Sequence, residues 1–79
     1  MNKELPLCSS EKIVKALERA GFRPARRSKG SHQAFIKETA ERKYITIVVH
    51  GKKEVPRGTL RAILERAGLS VEEFRKLLR

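Results

Sequence analysis

Residues 31–49 have the sequence SHQAFIKETAERKYITIVV, which carries the clearest structural signal in the chain. Each end of this stretch contains β-branched and aromatic residues, and the polar residues 38–41 between them are typical of a turn. The pattern therefore predicts a β-hairpin. In its second strand Ile45, Ile47 and Val49 share one face, so we expect a sheet with one buried side and one side partly open.

Helices are predicted on both sides of this hairpin. Upstream, Ser9 and Ser10 are good helix N-caps, and apolar residues then recur at helical spacing until Gly21 stops the pattern. Downstream, Pro56 prepares a second helix, which Gly68 ends.

The remaining segments complete the predicted order. Residues 22–28 contain Pro24, which cannot donate to a strand ladder, so they fit an edge strand or an extended segment. Ser70 and Glu73 match the capping box and indicate a short last helix. We therefore expect one α+β domain over residues 1–79, with the order α-β-β-β-α and a short extra C-terminal helix. Its helices would cover one face of a three-stranded antiparallel sheet and leave the other face free for a ligand.

The charge of the chain points to a polyanionic partner. Its 79 residues include 19 Lys and Arg against nine Glu and no Asp, a net charge of +10. Residues 21–61 hold eleven of the basic and three of the acidic residues, a net +8. The apolar run at residues 45–49 is far too short to span a membrane, and the N-terminus lacks a secretory signal, so we expect a cytoplasmic protein. One Cys and two His at no metal-ligand spacing predict neither a metal site nor a cofactor.

His32 is the first candidate for chemistry. Cleavage of RNA at an internal phosphate needs a base for the 2′-hydroxyl proton, an acid for the leaving oxygen, and positive charge near the phosphate. His32 follows the turn Lys29-Gly30-Ser31, where backbone amides and a hydroxyl can approach a phosphate, and Arg26 and Arg27 stand just upstream. In the other interpretation Gly30 only shapes the turn and His32 pairs across the strand. From the residues alone, the catalytic and the structural interpretation of His32 are equally supported.

The second basic segment follows the hairpin. Lys52, Lys53 and Arg57 come just before or at the start of the second helix, where they are candidate phosphate contacts. His50 is either another phosphate contact or a strand-end residue that bonds the turn backbone, and we favour the latter. Only four aromatic residues occur, so recognition of RNA backbone or shape is expected rather than base stacking.

These residues resemble a known family. Lys29-Gly30-Ser31-His32 with Phe35, and the run VHGKKEVPRGTLR at residues 49–61, are similar to the motifs of HicA-type toxins. HicA-type toxins are small mRNA interferases of bacterial and archaeal toxin–antitoxin pairs. The resemblance covers nearly the whole chain.

The resemblance implies a fold like that of double-stranded-RNA-binding domains and metal-independent cleavage of mRNA with His32 as the catalytic residue. It also implies a HicB-type antitoxin that covers the active surface and with which a small oligomer can form. Many members have a second His directly after the first, and here that position is Gln33. If the neighbour assists proton transfer, this protein is slower or uses His50 or a water instead.

Three hypotheses of different classes follow. The leading one is an endoribonuclease with His32 as its catalytic residue and a set of RNA-binding residues: Arg26, Arg27, Lys29, Ser31, Lys52, Lys53 and Arg57. The second is a non-catalytic RNA-binding module that reads duplex shape through its first helix and the Lys52-Lys53 loop. The third is an interaction domain for an acidic protein.

Overall fold

The computed structural model describes residues 5–78, except for the side chains of residues 27–29. Its elements follow the expected order: α1 (Ser10–Arg19), β1 (Arg23–Lys29), β2 (His32–Glu38), β3 (Lys43–Val49), α2 (Arg57–Ala67) and α3 (Val71–Leu77). The α+β prediction, including the short C-terminal helix, is confirmed.

The three strands form one antiparallel sheet in the order β1-β2-β3. β2 and β3 pair without a break from His32 opposite Val49 to Glu38 opposite Lys43, which is the predicted hairpin. β1 is an edge strand, as Pro24 indicated, and its pairing with β2 shifts between Pro24 and Ser28.

Alternate residues of the strands give the sheet two different faces. The helices cover the face that carries Phe35, Thr46 and Val48, and all three residues are buried. The polar Thr46 is accommodated there because its Oγ1 donates a hydrogen bond to the Ile63 carbonyl of α2 at 2.9 Å. The opposite face, which carries Ile45, is open. One buried and one open side were predicted, and the structure adds that the threonine lies on the buried one.

The helix ends follow the local sequence. The Ser9 hydroxyl accepts a hydrogen bond from the Lys12 amide, and Ser70 and Glu73 form the predicted capping box. Gly68 ends α2 with a φ of 70°, and a Cβ at this position would collide with the ring of Tyr44. A glycine is therefore required where α2 passes the start of β3.

The segment before α1 packs against the start of α2. Leu5 and Cys8 are buried, and the Val55 amide donates to the Cys8 carbonyl at 2.7 Å. Burial raises the pKa of the Cys8 thiol, although the nearby Lys12 opposes this effect. In residues 5–78, no helix has the length and apolar character needed to cross a membrane.

Candidate nucleic-acid interface and active site

His32 is the first residue of β2 and lies at one end of the sheet. Its side chain is exposed, and its pairing with Val49 places it on the open face. Gly30, two residues earlier, has a φ of 60°, a backbone conformation that favours glycine, and so turns β1 into β2. The ring is thus accessible to a large ligand from the side opposite the helices.

The two basic segments of the sequence meet at this end of the sheet. The amide of His50, just after β3, donates to the Ser31 carbonyl in the β1–β2 turn at 2.7 Å. This bond places Lys52 and Lys53 in the loop next to the turn that precedes His32, and both lysine side chains are exposed. The two basic segments are therefore joined by a backbone hydrogen bond at this end of the sheet.

Ser10 fixes the Lys52 loop to the start of α1. It is buried, its hydroxyl donates to the Val49 carbonyl, and the same hydroxyl accepts a hydrogen bond from the Lys52 amide at 3.1 Å. The Ser10 amide in turn donates to the Lys52 carbonyl at 2.9 Å. The sequence suggested Ser10 only as a possible helix cap, because a pairing 42 residues apart leaves no local signal.

His50 is presented differently from His32. It lines an open cleft of about 490 Å³ together with Ser9, Val14, Lys52 and other residues of the same two segments. This cleft lies at the start of α1, on the helix side of the sheet, whereas His32 is on the open face. The two imidazoles therefore do not form a paired acid and base on one face. The His50 backbone bonds the neighbouring turn, which agrees with the strand-end interpretation.

Gln33 points away from His32. It is half-buried on the helix side, and its Nε2 donates to the carbonyls of Ala25 at 3.1 Å and Ala34 at 3.0 Å. Pro24 and Ser28 lie four residues apart on β1, but their partners on β2 lie two apart, so β1 bulges by two residues. Gln33 ties this bulge to β2. Its side chain has a structural task there and is not on the face of the candidate catalytic residue.

The bulge contains two of the candidate RNA-binding residues. The side chain of Arg26 is exposed. Arg27 and Lys29 belong to β1 by their backbone, and their side chains lie outside the described part of the structure. Lys29 pairs with His32 in the strand register, so its backbone is adjacent to the candidate catalytic residue. Ser31 is exposed in the turn between them.

Arg57 has a structural contact as well. Its Nε donates to the Leu5 carbonyl at 2.7 Å, which ties α2 to the segment before α1. The guanidinium is nevertheless on an exposed residue, and its Nη atoms take no part in this bond. Loss of Arg57 would therefore also affect packing.

The basic residues of the middle segment divide into two groups. At the end of the sheet away from His32, Arg23 forms an ion pair with Glu38 at 3.4 Å, and Lys37 and Arg42 lie over the rings of Phe22 and Tyr44. Near His32 the side chains of Arg26, Lys52 and Lys53 are exposed, and none of them forms an ion pair with another described residue. A cluster of exposed basic residues therefore lies at the His32 end.

Metal ligands are not gathered at this site. In the described part of the chain, no group of three or more His, Cys, Asp or Glu side chains could hold a metal ion. What the site does offer is one accessible imidazole beside several exposed cations.

The comparison with known proteins agrees with the motifs. The sequence profile of the HicA toxins of bacterial toxin–antitoxin systems matches residues 10–69, which include every element from α1 to α2. No curated protein matches the chain. Because the profile covers most of the 79 residues, the chain belongs to the HicA toxin family.

Proposed function

We propose that this HicA-family protein is a metal-independent endoribonuclease that cleaves mRNA in the cytoplasm, with His32 as its catalytic residue, and that a HicB-type antitoxin inhibits it. Family membership supports the role as a toxin with an antitoxin partner. The observation that carries the catalytic assignment is the exposed position of His32 on the open face, at the end of the sheet where the two basic segments meet.

The proposed reaction uses the RNA's own 2′-hydroxyl. His32 removes its proton, the 2′-oxygen attacks the adjacent phosphorus, and the bond from phosphorus to the 5′-oxygen breaks. The leaving 5′-oxygen takes a proton from the imidazolium or from water, so that the products are a 2′,3′-cyclic phosphate and a 5′-hydroxyl. Negative charge develops on the phosphate oxygens, and Arg26, Arg27 and Lys29 are the proposed source of compensating charge.

The RNA backbone would be held on both sides of the imidazole. Ser31 lies in the turn before His32, and Lys52 and Lys53 lie in the loop bonded to that turn. Arg57 begins α2, whose first amides add favourable dipoles for an anion. The three phenylalanines are buried, and Tyr44 is half-buried on the helix side, so base stacking contributes little. We therefore expect binding that depends steeply on salt and only modestly on RNA sequence.

The matched pair His32→Ala and His50→Ala tests the catalytic assignment. Both side chains are exposed, so neither change should disturb the fold. His32→Ala should reduce cleavage of mRNA in EDTA by about 10²-fold or more and remove growth inhibition, because general acid–base catalysis contributes that much. His50→Ala should keep most of the activity, and both variants should bind RNA as the wild type does.

Other outcomes of the same experiment would support the other hypotheses. If His32→Ala cleaves RNA as fast as the wild type, His32 is not the catalytic residue. If the purified wild type protects RNA rather than cutting it, the protein is a non-catalytic RNA-binding module. Because the antitoxin would cover the same cationic surface, we also expect the antitoxin and RNA to exclude one another, and a ternary complex with RNA still in the active site would contradict this.

A further inference from the structure

The open face of the sheet carries an apolar patch that the proposed RNA chemistry does not use. Ile45 and Ile47 are 47% and 41% exposed, and they are two of the three large hydrophobic residues with high exposure in residues 5–78. Ile36 and Ala34 lie directly opposite them on β2. These four residues form a continuous apolar patch, and contiguous exposed patches of this kind mark interaction sites.

The same two isoleucines lie on a free strand edge. Along an antiparallel pair of strands, residues alternate between those whose backbone groups bond the partner strand and those whose backbone groups point away from it. The bond from the His50 amide to the Ser31 carbonyl shows that His50 is of the first kind, so every second residue before it on β3 also bonds β2. By this alternation Ile45 and Ile47 direct their backbone amides and carbonyls away from β2. Val49 does so too, and its carbonyl accepts from Ser10. No further strand of the described chain lies beyond β3, so its edge can pair with another chain.

A groove beside this edge has room for side chains of an added strand. It has a volume of about 160 Å³ and lies between β3 and α2, with Ile47 and Thr46 on one side and Thr59, Ala62 and Arg66 on the other. The helix side presents small residues and one cation. The groove therefore favours short or acidic side chains.

We propose that the edge of β3 is the docking site for an extended segment of an acidic protein partner, the antitoxin. The segment pairs with the backbone of Ile45 and Ile47, its apolar side chains cover the patch on the open face, and its acidic side chains point to Arg66 and Lys43. Addition of a strand in this way supplies affinity through main-chain bonds and specificity through alternate side chains. The proposal rests on membership of a toxin–antitoxin family and not on the chemistry of His32.

The charge and composition of this surface favour an acidic protein as the occupant over a second copy of the chain or RNA. A second copy of the chain carries the same net charge of +10 and would bring its own Arg66 and Lys43 to the contact. An aliphatic patch without exposed aromatic rings offers RNA no surface on which its bases can stack. Ile47 is the diagonal neighbour of His32 on the open face, so a protein seated on the patch would also obstruct the imidazole.

Backbone amide exchange tests the docking mode directly. The protein should be measured alone and as the complex purified after co-expression with a HicB-type antitoxin. We expect exchange of the Ile45 and Ile47 amides to slow at least tenfold in the complex, because they become hydrogen-bonded. Unchanged exchange at both amides in a formed complex would overturn the proposal.

Two substitutions with a matched control provide an independent readout. Ile45→Lys and Ile47→Lys should each weaken antitoxin binding at least tenfold, because a lysine on an exposed edge opposes strand pairing. Leu7→Lys removes a comparably exposed hydrophobic residue, at 49%, outside the sheet and should leave binding unchanged. If all three variants bind the antitoxin as tightly as the wild type, the proposal is overturned. It is also overturned if the free protein forms a dimer that the Ile47→Lys substitution disrupts. RNA cleavage by unbound Ile45→Lys, the substitution farther from His32, should match the wild type, so a loss of docking is separable from a failure of the proposed nuclease function.

Discussion

The two faces of the sheet are made from alternate residues of the same strands, yet they have opposite physical roles. On the helix side Phe35 and Val48 complete the core, and the side chain of Gln33 pins the β1 bulge. On the open side His32 and Ile47 face solvent. Residues that are neighbours in sequence therefore differ in what they contribute, and substitutions on the two faces should separate effects on stability from effects on function.

The largest separation is expected between Phe35 and Ile36. Phe35 is 2% exposed in the core, and Phe35→Ala should lower the free energy of unfolding by about 3–5 kcal/mol. Ile36 is half-buried on the open face, and Ile36→Ala should cost about 1 kcal/mol. Urea denaturation of both variants measures the difference. Equal losses would show that the two faces are not distinct in this way.

A smaller effect is expected at Gln33, the residue that follows His32. Gln33→Ala should cost about 1–2 kcal/mol, because the partly buried Ala25 carbonyl loses its donor. Gln33→His should not accelerate RNA cleavage, since position 33 faces the helices. Chemical denaturation and cleavage assays check the two statements. A clear gain in cleavage rate for Gln33→His would contradict the assignment of this side chain to the helix side.

The third effect concerns the loop beside His32. Lys52→Ala and Lys53→Ala should each weaken RNA binding several-fold and reduce the slope of log affinity against log salt by about 1, as expected for the loss of one phosphate contact. Lys76→Ala, an exposed lysine of α3, is the control and should leave the slope unchanged. Identical slopes for all three variants would place the RNA elsewhere.

The smallest effect involves α3, away from both faces of the sheet. Hydrogen bonds from the Ser70 backbone and side chain hold the pKa of Glu73 below its ordinary value of 4.5. Because the folded-state pKa is lowered, this contribution to stability is present above pH 4.5 and is lost as the pH falls through the folded-state value. The stability difference between wild type and Glu73→Gln should therefore shrink between pH 6 and about pH 3. A difference that is constant with pH would contradict this.

The elements of the fold were predictable because their signals are local. The alternation at residues 44–49, the Ser70–Glu73 capping box and Gly68 each specify structure within a few residues, and all appear as predicted. The choice of buried face was not predictable. Thr46 lies on the buried face and Ile45 on the open face, because packing against the helices and a hydrogen bond to the Ile63 carbonyl determine which face is buried.

The candidate site was predictable only in part. The motif around His32 predicted it as a candidate, but its exposure depends on its register opposite Val49. The bulge that contains Arg26, and the hydrogen bonds by which Ser10 holds the Lys52 loop, arise from pairings distant in sequence, so no local pattern predicts them. The separation of the two histidines onto different sides is likewise a property of the assembled sheet.

The ends of the RNA fragments test the central claim most directly. Fragments produced by the purified protein in EDTA should accept labelled phosphate from polynucleotide kinase at their 5′ ends without prior phosphatase treatment, because attack by the 2′-oxygen leaves a 5′-hydroxyl. The upstream fragments should carry a cyclic or 3′-phosphate, and His32→Ala should yield neither product. Fragments with 5′-phosphate and 3′-hydroxyl ends would show that the 2′-hydroxyl is not the nucleophile and would contradict the proposed role of His32.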